Sequence, residues 1–188
     1  NFYFEWTQVI FFLSVASMFL GATAAIAQKN IKRLLAYSSI GHVGYVLIAL
    51  VSASDQGLKS ASIYMFIYLV MNIAVFSIIL SLKKSNSYVE KISELSGLSK
   101  SNPVISVCLA IIVLSMAGIP PFIGFFGKFY VFIAAIESQL YLLAVLGVLA
   151  SVISAFYYLR IIKVMYFDDT TDLEIFEFTI NREAKVIL

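Results

Sequence analysis

Pro103-Val104-Ile105-Ser106-Val107-Cys108-Leu109-Ala110-Ile111-Ile112-Val113-Leu114-Ser115-Met116-Ala117-Gly118-Ile119-Pro120-Pro121-Phe122-Ile123-Gly124-Phe125-Phe126-Gly127-Lys128-Phe129-Tyr130-Val131-Phe132-Ile133-Ala134-Ala135-Ile136 is a run of 34 residues with a single charge, Lys128. A straight helix of that length would reach roughly 50 Å, against a hydrocarbon core about 30 Å thick. The run must tilt, protrude or break, and Gly118-Ile119-Pro120-Pro121 marks the break. Proline lacks a backbone N–H and clashes with the preceding turn, so two in succession leave carbonyls without helical partners. At membrane depth such backbone is tolerated only inside protein or beside a water-filled cavity. Lys128 follows Pro121 by about two turns, and Phe129–Ile136 separate it from Glu137, too far for simple snorkelling. An intramembrane lysine costs about 2.5 to 3.5 kcal/mol on insertion scales, which marks it as a candidate ion or proton site. A lysine so placed can alternate between charged and neutral forms as its surroundings change, as a proton relay requires.

The rest of the chain agrees with a membrane setting. Hydrophobic residues make up 61% and charged residues 13%, with a mean hydropathy of +0.95; soluble domains average about 25% charged. The net charge of +2 is too small and too dispersed to suggest nucleic acid. Cys108 is the only cysteine, so the chain builds neither a disulfide framework nor a thiolate metal site, and a packing role is expected for it. No signal-peptide pattern opens the sequence, which starts at Asn1 and reads as part of a longer or split polypeptide.

Five spans are expected, at approximately 7–27, 34–53, 61–82, 103–136 (broken) and 140–163, in an all-α transmembrane bundle over residues 1–168. Lys29, Lys32, Arg33, Lys83, Lys84, Lys91, Lys100, Arg160 and Lys163 fall on one side, and only Lys59 on the other. The positive-inside rule puts the first group inside, the N-terminus outside and the C-terminus inside. Residues 169–188 read as an acidic extramembrane tail, in which Lys185–Leu188 are a possible start of a further helix. Val89, Ile92, Leu95 and Leu98, at three-residue spacing within 83–102, fit a short surface helix or a solvated loop.

Further polar candidates lie within the spans. His42 suits a proton shuttle, or equally a hydrogen-bonded packing role. Tyr64, Tyr68 and Asn72 share one face of the third span, as a polar track or as interhelical glue. Ser14, Ser17 and Gly21, and likewise Gly147, Ser151 and Ser154, read as small-residue packing faces. Tyr157, Tyr158 and Tyr166 fit an aromatic belt near the inner boundary. Lys32 and Arg33 are explained by topology. No nucleotide loop, nucleophile triad or metal cluster is visible in the sequence.

Gln28 to Tyr45 (QKNIKRLLAYSSIGHVGY), Leu114 to Pro121 (LSMAGIPP) and Gly124 to Tyr130 (GFFGKFY) together resemble the antiporter-like membrane subunits of respiratory complex I, NADH:quinone oxidoreductase. Tyr64 to Phe76, with Asn72, and the ending Tyr157-Tyr158-Leu159-Arg160 are most similar to the chain 2 or chain N type. The resemblance covers residues 5 to about 168. It implies the second of two inverted five-helix repeats, with Pro120 and Pro121 at the break of a discontinuous helix. Lys128 would then be that helix's proton-transferring lysine, and the family's remaining glutamate and lysines would precede Asn1. It implies a proton-translocating subunit with no cofactor of its own, NADH, FMN, iron–sulfur clusters and quinone being bound by other subunits. Its partners would be neighbouring membrane-arm subunits and lipids. The alternatives are a subunit of a multisubunit sodium/proton antiporter and a structural scaffold with a vestigial site. Richness in Phe, Ile, Lys, Asn and Tyr suggests an AT-rich genome and favours a mitochondrial over a bacterial inner membrane.

Overall fold

The computed structural model describes residues 2–84, 87–168 and 176–178. Its helices are α1 (Phe2–Ile26), α2 (Ile31–Val51), α3 (Asp55–Ser81), the single turn α4 (Leu98–Ser101), α5 (Pro103–Ala117), α6 (Ile123–Glu137) and α7 (Tyr141–Phe167). Among the described residues, α1, α2, α3 and α7 are each long and apolar enough to cross a membrane. Helices α5 and α6 have 15 residues each. At about 22 Å apiece they are too short alone and cross together as one broken element. The fold is the helical transmembrane bundle with a discontinuous helix that the proline pair announces.

Helix starts lie in polar sequence that hydropathy does not mark. Asn30 Oδ1 accepts from the backbone N–H of Lys32 (2.9 Å) and Arg33 (3.2 Å), so α2 starts at Ile31 rather than Leu34. Ser54 Oγ accepts from Gly57 N (3.0 Å), and α3 begins at Asp55 rather than Ala61.

The helix ends fall into two layers. In one, Arg160 donates to the carbonyls of Ile26 and Gln28 (3.3 and 3.4 Å), placing a cation at the C-terminal end of α1. Here too Ile31 N donates to Glu90 O (2.8 Å), and Ile92 N to Lys29 O (2.9 Å). This layer carries the basic connections, and the positive-inside rule makes it the inner one. In the other, Ser138 Oγ donates to Ser52 O (3.2 Å), joining the ends of α6 and α2. An open cleft of about 610 Å³ lies beside it, lined by Asp55, Lys59, Tyr130 and Glu137 among others.

The inner connection departs from the expected surface helix. Residues 82–84 (β1) pair antiparallel with 87–88 (β2) and with 176–178 (β3), in the order β2-β1-β3. A 3-10 turn (Ile92–Leu95) and α4 follow, and Val89, Ile92, Leu95 and Leu98 are all buried. Three-residue spacing served a 3-10 turn and hairpin docked on the bundle, because residues i and i+3 eclipse in that helix. Glu94 accepts from the N–H groups of Glu90 (2.9 Å) and Lys91 (3.0 Å). Burial raises its pKa, but these bonds and the charges of Lys91 and Lys84 outweigh burial and hold the carboxylate below its usual range. Lys32 lies 3.8 Å from Glu90 across the same junction. The remainder of the acidic tail, including the candidate helix start at Lys185–Leu188, lies outside the described residues.

Within the bundle, small residues set the spacing. Ser14 Oγ donates to Gly44 O (2.8 Å), and a Cβ on Gly21 would sit 2.8 Å from Tyr37 O, so α1 and α2 touch backbone to backbone. The outward faces carry large apolar side chains, such as Phe12, Phe66 and Val152, a surface for lipid or another apolar partner. Cys108 joins them on an exposed face of α5 instead of packing inside.

Candidate functional site

The break in the fifth span is built from a glycine, a serine and a lysine. Gly118 ends α5 in the left-handed region (φ 83°), its N–H reaching the carbonyls of Leu114 and Ser115. Ile119 N donates to Leu114 O at 3.2 Å. Ser115 Oγ accepts from Gly124 N (3.0 Å), so a residue near the end of one half-helix caps the start of the other. Replacing Ser115 with alanine leaves that N–H unpaired in a buried place and is expected to cost about 1 to 2 kcal/mol. A fall in the thermal midpoint of the purified membrane protein, with helix content unchanged, is the measurement.

The Ala117 carbonyl, left over by the break, is taken by Lys128. Its Nζ donates to Ala117 O (2.9 Å) and to Ser151 Oγ (3.0 Å) and lies 4.9 Å from the centroid of the Tyr45 ring. The side chain is 4% exposed. An ammonium has three N–H donors, and here they meet a carbonyl, a hydroxyl and an aromatic face, the last a cation–π contact. The C-terminal dipole of α5 also favours a cation at this point. A neutral amine fits the same space: Ser151 turns its hydroxyl round and donates to the nitrogen lone pair, while an N–H keeps Ala117 O satisfied. The site accommodates both protonation states without moving a heavy atom. Ser151, expected only to pack, is thus a site residue.

A second polar group surrounds His42. Its Nδ1 is 2.7 Å from Tyr64 OH and its Nε2 is 3.0 Å from Tyr158 OH, so both ring nitrogens are engaged. Tyr158 OH is also hydrogen-bonded to Ser38 Oγ. Tyr68 stacks on the imidazole with ring centroids 4.6 Å apart, and its hydroxyl donates to Ser39 Oγ (2.8 Å). Of the expected face on α3, Tyr64 and Tyr68 join this group; Asn72 does not, its Oδ1 being buried without a hydrogen-bond partner. Tyr157 and Tyr158 are buried and form no interfacial belt, whereas Tyr166 is partly exposed. In α7 they lie about two and a half turns or more from the inner end, and the helix continues past them to Phe167.

Tyr45 connects the two groups. Its ring lies over Lys128 Nζ and meets the His42 ring edge-on at 6.2 Å between centroids. The ring of Tyr64 packs on Gly127, next to Lys128, where an added Cβ would fall 3.0 Å from Tyr64 Cδ2. Helix direction orders these residues across the membrane. α2 rises from the inner layer through Ser38, His42 and Tyr45, at about 10, 16 and 21 Å from its start. α7 descends from the outer layer through Ser151 and then Tyr158. The Lys128 group lies toward the outside, and the His42 group at mid-depth, with Ser38 toward the inside.

A multi-pass helix bundle with a discontinuous helix and a buried, hydrogen-bonded lysine beside the break defines an ion- or proton-transport type of membrane protein. Residues 1–154 match the family described as NADH:quinone oxidoreductase/Mrp antiporter, TM, and the chain belongs to that family. It is 57% identical over 164 residues (87% of this chain) to NADH-quinone oxidoreductase subunit N of Pelagibacter ubique. It is 54% identical over 168 residues (89% of this chain) to subunit N of Parvibaculum lavamentivorans. The chain spans 35% of the length of each of these relatives. Among solved structures it resembles a chain of respiratory complex I from Thermus thermophilus with bound aureothin, with a TM-score of 0.80 and 27% identity. That match covers 95% of this chain and 40% of the other. These relatives are bacterial, which corrects the mitochondrial placement drawn from composition. A bias toward AT-rich codons reports on the genome and says nothing of the compartment.

Proposed function

We propose that this chain is the proton-carrying five-helix unit of a subunit N-type membrane component of NADH:quinone oxidoreductase, in a bacterial cytoplasmic membrane. Electron transfer from NADH to quinone takes place on redox groups in other subunits. It drives proton movement here, through a membrane-arm assembly with neighbouring antiporter-like subunits. Lys128 accepts and releases the proton, and His42 relays it. Tyr68 supports the imidazole by stacking, and the Pro120–Pro121 break frees the carbonyl that holds the lysine. The observation carrying this reading is the placement of Lys128 Nζ on Ala117 O and Ser151 Oγ, a site that suits ammonium and amine alike.

The sodium/proton antiporter reading shares the fold and is separated by its partners. A tag on the full-length subunit containing this segment is expected to recover flavin and iron–sulfur subunits. In inverted membrane vesicles, NADH is expected to drive lumen acidification that persists without sodium. Recovery without redox subunits, together with sodium-dependent proton exchange in the absence of NADH, would replace the proposal with the antiporter.

A further inference from the structure

We propose that Tyr158 is the relay residue on the inner side of His42, handing protons between the imidazole and Ser38. This rests on the proton-carrying reading of the Lys128 site and adds a path by which protons reach it. Tyr158 OH is within hydrogen-bonding distance of both His42 Nε2 (3.0 Å) and Ser38 Oγ, while Tyr64 OH holds Nδ1 at 2.7 Å. Three helices, α2, α3 and α7, thus contribute one unbroken chain of four groups: Ser38, Tyr158, His42 and Tyr64. All four residues are buried.

Hydrogen-bond counting gives this chain two arrangements. A neutral imidazole carries one N–H and one lone pair, and each hydroxyl has one hydrogen and accepts on oxygen. In the first, Ser38 donates to Tyr158, Tyr158 donates to Nε2, and Nδ1–H donates to Tyr64. In the second, every bond runs the other way. The two are interconverted by one proton passing through. A proton arriving on Ser38 Oγ lets the serine's own hydrogen move to Tyr158 O, and the phenol's hydrogen then moves to Nε2. The imidazolium gives up its Nδ1 proton to Tyr64 O, and the original hydrogen of Tyr64 ends on the neutral Lys128 amine, the acceptor that the proposed function supplies. One proton enters and one leaves, each oxygen ends neutral, and His42 finishes in the opposite tautomer. Hydroxyl rotation and tautomer exchange reset the chain.

Position gives the chain its direction. Ser38 is one helical turn closer than His42 to the inner end of α2. Tyr64 lies on the other side of the imidazole, its ring against Gly127, the residue that precedes Lys128 in α6. A tyrosine serving only to fill space would need no hydroxyl, yet this one is the single link between His42 and Ser38. Tyr157, its neighbour in sequence with ring centroids 4.5 Å apart, also has its hydroxyl beside Ser38, but the bond to His42 Nε2 is made by Tyr158.

The test uses the assembled complex with Tyr158→Phe, Ser38→Ala and Lys128→Ala compared in one strain background. Tyr158→Phe keeps the ring and removes the link; NADH-driven proton pumping is expected to fall about 10-fold or more, modest for a positioned proton-transfer group. The solvent deuterium isotope effect on residual turnover should rise, because proton transfer becomes limiting, a change that a loosened core would not produce. Ser38→Ala should reproduce both effects, and the double variant should be no slower than the slower single one, since both cut one chain. Wild-type pumping with an unchanged isotope effect in Tyr158→Phe would overturn the assignment. If that variant fails to assemble, Ser38→Ala decides by the same two readings. If Lys128→Ala abolishes pumping while the inner variants do not, the relay fails and the lysine reading stands; if Lys128→Ala pumps normally, the underlying reading fails.

Discussion

Lys128→Ala in the full-length subunit is expected to lower NADH-driven proton pumping by about 100-fold, the lower end of what a positioned acid–base group contributes. Assembly should survive, and magnitudes say why. The substitution leaves the Ala117 carbonyl without its partner, at about 1 to 3 kcal/mol. It also removes a buried cation that itself costs about 2.5 to 3.5 kcal/mol at membrane depth. The two nearly cancel, so lost pumping in an assembled complex reports on proton transfer and not on folding. Lys128→Arg sharpens the result. A guanidinium does not deprotonate in proteins, so it can occupy the charged half of the cycle but not the neutral half. Its bulk must also fit beside Gly118, where even an added Cβ would lie 2.8 Å from Lys128 Cδ. Arginine should therefore be as inactive as alanine in pumping, although it restores the charge. Restoration of pumping by arginine would mean that Lys128 acts as a fixed electrostatic post and never carries the proton. The readouts are acidification of inverted vesicles and NADH oxidation in the same preparation.

The parts of this site differ in how far the sequence discloses them. The break was legible because two prolines inside an overlong apolar run admit one physical outcome, and Lys128 because an isolated charge in such a run has few structural excuses. His42 was visible as a residue but not as a network, since Tyr158 and Ser38 are 116 and 120 positions from their partners, His42 and Tyr158 respectively. Ser151 and Tyr158 were hidden by ordinary composition: a serine in a membrane helix usually packs, and a tyrosine near a helix end usually sits in the interface. One signal for Tyr158 was available. It lies deeper than Phe167, where the apolar run ends, so a tyrosine about two and a half turns inside needs a buried hydroxyl partner. The small sheet is not legible in the sequence because its local strands, 82–84 and 87–88, are too short to show an alternating period, and the third, 176–178, joins from far along the chain.

Gly124→Ala is expected to be the most damaging of the glycine-to-alanine substitutions, through assembly and not chemistry. A Cβ on Gly124 would run into the backbone carbonyl of Ser115, and unlike a flexible side chain, that carbonyl is fixed by α5. The two half-helices would have to separate, which breaks the bond from Gly124 N to Ser115 Oγ (3.0 Å) and moves Lys128, four residues along the same helix, away from Ala117 O. Overpacking of this kind typically costs about 1 to 3 kcal/mol, and the lost buried hydrogen bond adds about 1 to 3 more. The subunit should fail to accumulate in the membrane, and the complex should be recovered at a small fraction of wild-type yield. Gly118→Ala provides the contrast. Its left-handed backbone (φ 83°) costs an alanine about 1 kcal/mol or more, but the atoms its Cβ meets are Cδ, Cε and Nζ of Lys128, the movable end of a side chain. The complex should therefore assemble in reduced but measurable yield, with the lysine pushed off Ala117 O and pumping per assembled complex lowered. Immunoblotting of membranes together with pumping normalised to assembled complex separates the cases. Normal accumulation of Gly124→Ala would show that α5 and α6 do not depend on their contact across the break.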